Sequence, residues 1–328
     1  MSKINDFLNN HIKTNNQKYS LIIGLTPSQG ARSPKIWNKV YKKIKSKCRM
    51  YPADVELKNL KNLLSYLKKD KNFLGGSVTT PYKNHIIKYL DNLNQDAKKI
   101  GSVNTLVKKN KKLIGCNTDF YGALSTIKKI KLKKNILVIG AGGASKAVIL
   151  ALQNRYSKSK FYFFNRNKNK LNFLKKNSFK KKIKILDNIN DIKSINKLGL
   201  IVNTTSVGFN SWIKSKKNYF NLKFFSPITK ISNLNLINKK DTKSFTSKNL
   251  KLILKDKKNL ETFFKKNKKL VVYDIIYNPQ KTKLLKYAEK YRNKVYNGLE
   301  MNLMQAVRGF MLVNNIKGLN KVKLKMIK

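Results

Sequence analysis

The stretch from Asn135 to Arg166 limits what the rest of the chain can be. It begins Asn-Ile-Leu-Val-Ile-Gly-Ala-Gly-Gly-Ala-Ser and ends Phe-Phe-Asn-Arg. Ile136 to Ile139 is unbroken apolar sequence, as in a strand buried on both faces of a parallel sheet. Gly140, Gly142 and Gly143 follow at once, and Ala144 to Leu152 is small and apolar at helical spacing. Strand, glycine turn and helix in that order form a phosphate-binding unit. The glycines let the chain turn tightly and let a pyrophosphate approach the backbone, and the first N–H groups of the helix face the anion. The third glycine of the usual fingerprint is Ser145 here, so an ordinary glycine turn is the competing reading. A second strand predicted over Lys160 to Phe164 supplies the context that the fingerprint requires.

The end of that second strand indicates which dinucleotide. An NAD site places Asp or Glu there to accept hydrogen bonds from the ribose hydroxyls. This chain has Asn165-Arg166-Asn167-Lys168-Asn169-Lys170, with no acid. A carboxylate would repel a 2′-phosphate, whereas a guanidinium can hold one bidentately and stack on the adenine. NADP is therefore the expected cofactor. Lysines are everywhere in this sequence and carry little weight singly; Arg166 is one of only six arginines.

The formal charge of +58 raises the question of nucleic acid. The lysines are spread along the whole chain, accompanied by many Asn and Ile, and no aromatic-and-basic RNA-binding signature is present. The expectation is no specific nucleic-acid partner, only salt-sensitive sticking. The positive field would still draw in anionic substrates and cofactors. Cys48 and Cys116 read as free thiols, and the first twenty residues lack an apolar signal core, so a cytoplasmic protein is expected. A monomer or homodimer is the expectation for its assembly, though nothing in the residues selects between them. The longest apolar region, Ile136 to Leu152, is broken by glycines, Ser145 and Lys146, which argues against a membrane span. His11 and His85 make no cluster with cysteine or acid, and no metal is expected.

Upstream of the glycine stretch, strands and helices also alternate. Tyr19–Gly24 reads as a strand. Ser33-Pro34 opens a helix to about Lys47, with Ser33 suited to cap it and Pro34 to be its first residue. Strands follow at Arg49–Val55 and Gly75–Thr80, with a helix over Leu57–Lys69 between them and another starting at Pro81. Val103–Val107 and Leu113–Cys116 are strands, and Phe120–Lys129 is a helix. Later strands are expected at Lys182–Leu186, Leu198–Val202 and Leu270–Ile275, and helices at Lys281–Tyr291 and Leu299–Val313. The Lys-, Asn-, Phe- and Leu-rich residues between Gly208 and Lys269 are too long for a plain loop, so they should hold helices or pack as an insertion.

Four further stretches then matter together: Ser77-Val-Thr-Thr-Pro-Tyr-Lys83, Gly101-Ser-Val-Asn-Thr105, Asn117-Thr-Asp119 and Asn297-Gly-Leu-Glu-Met-Asn-Leu-Met-Gln305. With Ser33-Pro34, the glycine turn, Asn203-Thr-Thr-Ser206 and Tyr273-Asp-Ile-Ile-Tyr277, they stand in the order found in shikimate dehydrogenases. From Tyr19 to about Val313, apart from the long segment after Gly208, the chain resembles that family. Carbonyl reduction needs a hydride donor on one side and a proton donor at the oxygen. A lysine can stabilise a developing alkoxide, and a nearby carboxylate can orient it and accept from a substrate hydroxyl. Taken alone, Lys83 would pass for a solvated surface charge and Asp119 for a helix cap.

The resemblance implies two α/β domains with a cleft between them. Residues 1–118, completed by C-terminal helices 299–328, would bind substrate. Residues 119–298 would form a Rossmann-type NADP-binding domain with an insertion at about 209–269. It implies reversible reduction of 3-dehydroshikimate to shikimate, on the way to chorismate and the aromatic amino acids. Lys83 and Asp119 match the catalytic pair. Ser33, Thr79, Asn104, Tyr277 and Gln305 match residues that hold the substrate. Gly140, Gly142, Gly143, Ala144, Asn165, Arg166 and Lys170 match the cofactor turn and 2′-phosphate site. Thr205 and Ser206 match the stretch along the cofactor, and Gly298 and Met301 its nicotinamide end. Asp119 and Gln305 are expected on opposite walls of the cleft.

The chain departs from the family pattern in places. The usual Ser-x-Ser-Pro is Ala31-Arg32-Ser33-Pro34, so one hydroxyl for the substrate carboxylate is missing. Ser28 and Gln29 are candidate replacement donors, and Arg32 is a candidate carboxylate ligand. Ser77 and Phe120 replace Asn and Gly, Asn167 replaces the Thr of Asn-Arg-Thr, and Glu300 and Asn302 replace a small and an apolar residue. Quinate or another polyhydroxy ring acid is therefore the alternative substrate, and a basic nucleic-acid-associated protein the remote alternative.

Overall fold

The computed structural model describes residues 3–132, 135–176, 182–231 and 233–327. The chain divides into two compact units, Met1–Ser125 with Met301–Lys328, and Thr126–Glu300. Both are α/β.

In the first unit, β1 (Tyr19–Gly24), α1 (Arg32–Lys43), β2 (Arg49–Asp54), α2 (Leu57–Lys69) and β3 (Phe73–Val78) alternate as expected. The short β4 (Asn92–Leu93) and α3 (Gln95–Ile100) follow, then β5 (Thr105–Lys109), β6 (Lys112–Cys116) and α4 (Asp119–Ile127). The sheet order is β2-β1-β3-β5-β6-β4, parallel between β1 and its neighbours and antiparallel from β3 to β5 and β5 to β6. Side chains alternate across a strand, and β1 shows the consequence. Leu21 and Ile23 join one core with Leu60, Leu63, Leu64 and Leu67 of α2, whereas Ile22 joins a second core with Trp37 and Val40 of α1. Each fully buried leucine contributes roughly 1.5–3 kcal/mol. At Gly76 the strands come so close that a Cβ would lie 1.8 Å from the Leu21 carbonyl oxygen.

The second unit is built on β7 (Asn135–Ile139), α5 (Gly143–Arg155), β8 (Phe161–Phe164), β9 (Ile183–Ile185) and β10 (Leu198–Asn203). The segment after Gly208 forms an antiparallel hairpin, β11 (Trp212–Ser215) and β12 (Asn218–Asn221), then α6 (Thr242–Lys248) and α7 (Leu250–Lys266). β13 (Val271–Asp274), α8 (Lys283–Lys290) and β14 (Lys294–Tyr296) complete the sheet, whose order is β14-β13-β10-β7-β8-β9, all parallel. The order reverses between β7 and β10, so their carboxyl ends flank a crevice of the kind that takes ligands in doubly wound sheets. Finally α9 (Leu299–Asn314) returns the chain to the first unit, and α10 (Leu319–Ile327) ends it. Trp37 and Tyr41 of α1 pack on Phe310 of α9.

The long segment holds helices, as expected, and also a hairpin that its composition did not announce. It has a small core of its own, Phe225, Ile237 and Phe245 with Trp212 at its margin. Leu260, Phe263 and Phe264 of α7 pack into the core of the second unit. The buried Asp256 carboxylate pins α7 through Lys283 Nζ at 2.8 Å.

Two local expectations fail. Ser33 is not a helix cap: α1 starts at Arg32, its cap position is Ala31, and no side chain caps it. Pro34 is the third residue of the first turn, where its missing N–H still costs nothing. After Pro81 the chain makes turns and a 3-10 segment, His85–Tyr89, rather than an α-helix. No helix among the described residues is long and apolar enough to cross a membrane.

Candidate active site

In the first unit, a polar network joins four of the expected residues. Lys83 follows β3, and its backbone carbonyl accepts from Val103 N–H. Its Nζ lies 2.6 Å from Asp119 Oδ2. Asp119 opens α4, and its side chain is only 6% exposed. Its other oxygen, Oδ1, accepts from Asn104 Nδ2 at 2.9 Å. Both carboxylate oxygens are thus engaged by tertiary partners. The helix start is served instead by Asn117 Oδ1, which accepts from Phe120 N–H.

Asn104 is the hub. Its Nδ2 also faces Gln305 Oε1 at 3.2 Å and Thr118 Oγ1 at 3.0 Å, and its Oδ1 accepts from Thr118 N–H at 2.7 Å. Gln305 Nε2 in turn donates to the Asn302 carbonyl, and Asn302 Oδ1 accepts from Arg32 Nη1 at 3.1 Å. One hydrogen-bonded chain therefore runs from Lys83 through Asp119, Asn104, Gln305 and Asn302 to Arg32. Its members come from the β3 exit, the β5 entry, α4, α9 and the start of α1. The placement of Gln305 corrects the expectation of opposite walls: Asp119 and Gln305 lie in the same unit, bridged by one amide. Gly122 permits this, since a Cβ there would lie 2.4 Å from the Met301 carbonyl oxygen, so α4 and α9 run in close contact.

Thr79 is anchored by its N–H to the Ile23 carbonyl, and a Cβ on Gly24 would lie 2.4 Å from its methyl group. Ser33 is nearly buried in the first turn of α1. Burial pushes the Cys116 thiol up to about 11, which removes it as a nucleophile at neutral pH. Tyr277 belongs to the second unit, edge-on to Phe209.

In the second unit, a cavity of about 260 Å³ opens at the ends of β7, β8 and β10. Gly140, Gly142, Asn165, Arg166, Lys170, Thr205 and Ser206 all line it. Gly140 has φ +111°, and a Cβ there would lie 2.5 Å from Thr204 Oγ1. Gly142 is different: its φ of −79° suits any residue, and a Cβ there would meet nothing within 4 Å. Packing does not require a glycine at that point. The open space above the first turn of α5 is where a pyrophosphate would approach the backbone, and the residues present fit one. Ser145, in place of the third glycine, is buried and donates to the Gly140 carbonyl at 2.8 Å, bracing the turn. Asn203 Oδ1 accepts from Thr205 N–H and Oγ1, which fixes the third wall.

Gly143 and Ala144 lie in the first turn of α5 without lining the cavity, and Gly298 and Met301 do not line it either. Gly298 has a packing reason, because a Cβ there would lie 1.8 Å from the Ile275 carbonyl oxygen. Met301 falls in the first unit. The cavity gains residues that sequence reasoning missed, among them Pro227, Thr229 and Lys230 from the long segment. Nothing local marked them, since one lysine among so many carries no signal.

Behind Thr205 sits the buried Asp274. It accepts from Asn203 Nδ2 at 3.0 Å, Ile276 N–H at 3.0 Å and Thr282 Oγ1 at 2.7 Å. Burial nevertheless outweighs these donors and pushes its carboxyl up to about 7.

Residues 22–106 match the family described as the shikimate dehydrogenase substrate binding domain. The NADP(+) shikimate dehydrogenase of Methanococcus maripaludis is 32% identical over 305 residues, covering 90% of this chain and 92% of that protein. The chain belongs to the shikimate dehydrogenase family. The NADP(+) shikimate dehydrogenase of Caldanaerobacter subterraneus is also 32% identical, over 87% of this chain and 88% of its own. Among solved structures, a shikimate dehydrogenase in complex with NADP+ superposes with a TM-score of 0.69 at 27% identity, covering 97% of this chain and 96% of its own. The enzyme from Aquifex aeolicus superposes with 0.68 at 28% identity, covering 97% and 100%.

The departures from the family pattern have structural counterparts. Ser28 does not stand free to replace the hydroxyl missing at Ala31, because its own hydroxyl and N–H both donate to Asp54. Glu300 faces Lys129 at 3.5 Å. Asn302 instead engages Arg32, and so ties one departure to the helix that carries another.

Proposed function

We propose that the chain is an NADP-dependent shikimate dehydrogenase, interconverting 3-dehydroshikimate and shikimate in the route to chorismate and the aromatic amino acids. The observation that carries this reading is the Lys83–Asp119 pair, with the second Asp119 oxygen held by Asn104. NADPH, when bound, supplies the hydride. Lys83 stabilises the negative charge that develops on the carbonyl oxygen and passes a proton to it. Asp119 holds the ammonium in place and accepts from a ring hydroxyl of the substrate. Asn104 and Gln305 present amide groups to the other hydroxyls, with Thr79, Ser33 and Tyr277 as further substrate contacts. Gly140, Gly142, Gly143 and Ala144 receive the pyrophosphate, Asn165, Arg166 and Lys170 the 2′-phosphate, and Thr205 and Ser206 flank the cofactor. Gly298 and Met301 stand at the nicotinamide end. In the reverse direction each proton moves back along the same groups.

Two buried free cysteines support a reducing, cytoplasmic setting. The protein acts as a monomer or homodimer, on a small molecule and without a nucleic-acid partner. The deciding experiment is a steady-state assay of purified protein with shikimate or quinate and NADP or NAD. NADP-dependent oxidation of shikimate is expected; inactivity toward both acids would overturn the reading. The Ala31 departure and the Arg32–Asn302 contact favour one second reading, the same reaction on quinate or another polyhydroxy ring acid, which the quinate arm of that assay tests.

A further inference from the structure

The cofactor cavity has a wall that the glycine turn and the Arg166 loop do not build. Pro227, Thr229, Lys230 and Ile231 line it from the segment after β12. This wall is held rigidly. Thr229 is buried and its Oγ1 faces Asn259 Nδ2 of α7 at 3.4 Å. Three residues earlier, Ser226 donates to the buried Asp256, whose other oxygen is paired with Lys283. Lys230 is exposed at the rim of this anchored wall. Arg166 and Lys170 line the same cavity, exposed, from the loop after β8. Among the described residues, none of the three makes an ion pair with an acid, whereas the neighbouring Lys168 is paired with Asp187. Three cations without acidic partners around one cavity repel one another until an anion joins them. The anion that suits three cations is multiply charged.

We infer that Lys230 is a third ligand for the 2′-phosphate of NADP, supplied by the long segment between β10 and β13. The inference rests on the proposed NADP site. It makes the segment part of the machinery that selects NADP over NAD, and it gives its buried Asp256–Lys283 anchor a purpose. A phosphomonoester gathers close to two negative charges on one phosphorus, against one on each phosphorus of a bridging pyrophosphate, and so draws more from cations that converge on one point.

Calorimetric binding of 2′,5′-ADP, ADP and 5′-AMP to the full-length protein and to Lys230→Ala, Lys230→Arg and Arg166→Ala tests this. The parent should prefer 2′,5′-ADP. Lys230→Ala should weaken 2′,5′-ADP by up to about fivefold, as one exposed charge contact allows. It should leave 5′-AMP and ADP nearly unchanged, and Lys230→Arg should retain most of the affinity. The loss should shrink at high salt. Equal weakening of ADP and 2′,5′-ADP would place Lys230 at the pyrophosphate and overturn the inference. So would unchanged 2′,5′-ADP binding in Lys230→Ala while Arg166→Ala weakens it, which would leave the NADP site itself standing. A parent that shows no preference for 2′,5′-ADP would instead overturn the NADP reading and this inference with it. An unchanged melting temperature for Lys230→Ala separates lost contact from lost fold.

Discussion

Replacing Lys83 by Ala tests the chemistry most directly. Its Nζ is 2.6 Å from Asp119 Oδ2, and the two side chains are 21% and 6% exposed. The pair is thus partly shielded, and its charge acts at more than surface strength. Hydride transfer builds negative charge on the oxygen, so the lysine acts mainly in the transition state and its loss should fall on kcat rather than KM. A positioned acid–base group contributes about a hundred- to ten-thousandfold, and kcat should drop within that range. Asp119→Asn should be nearly as damaging for a geometric reason. Both Asp119 oxygens accept, one from Lys83 and one from Asn104. An asparagine has a single acceptor oxygen, so in either orientation its NH2 would confront a donor. The double variant should be little worse than the poorer single one, because the residues act as a unit. Removing the lysine also leaves a nearly buried carboxylate that keeps Asn104 as a donor but loses its charged partner, which should cost about 1–3 kcal/mol of stability. Steady-state kinetics with shikimate and NADP, paired with thermal melts and NADP titration, read all of these. Near-parent turnover in Lys83→Ala, or multiplicative losses in the double variant, would refute the mechanism.

Other substitutions probe separate parts of the protein. Arg166→Ala should weaken NADP binding by about ten- to a hundredfold, the scale of one charge-assisted phosphate contact, and barely affect NAD; equal efficiency with both cofactors in the parent would contradict this. Arg32→Ala should raise KM for the ring acid with little change in kcat if Arg32 holds the carboxylate, since that contact is the same in ground and transition states; an unchanged KM would remove Arg32 from the site. Asp274 has its carboxyl raised to about 7, against about 4 in an unfolded chain. The folded state therefore binds the proton more tightly, and the stability this gives is full below pH 4 and lost as pH rises through 7. The loss is roughly 4 kcal/mol at most, and Asp274→Asn should flatten the curve of denaturation midpoint against pH over that window.

What could be read from the residues was whatever depends on neighbours in sequence. The glycine turn, the strand before it and the acid-free loop after β8 are local, and the cavity lined by Gly140, Gly142, Arg166 and Lys170 follows from them. Ser33 shows where local reasoning overreaches. Ser-Pro is a good helix start by propensity, yet α1 begins at Arg32, two residues before the expected Pro34, and its Trp37 and Tyr41 pack on Phe310 and fix the helix from the far side. Gly298 shows a second limit, since the packing reason for a glycine there, its closeness to the Ile275 carbonyl oxygen, is invisible in the sequence. Asn104 shows a third. Family resemblance names it a substrate ligand. The structure adds that this one amide ties together Asp119, Gln305 and Thr118, from segments 14 to 201 residues away. No periodicity encodes such a convergence, because it exists only after β5, α4 and α9 have packed. The same holds for Lys230, which among the lysines of this chain is distinguished only by the wall that carries it to the cavity. In a chain of +58 net charge, composition hides the functional cations. What separates Lys83 from the solvated ones is its nearly buried partner Asp119, and what separates Arg166, Lys170 and Lys230 is a shared cavity without an acidic partner among the described residues; both are properties of the fold.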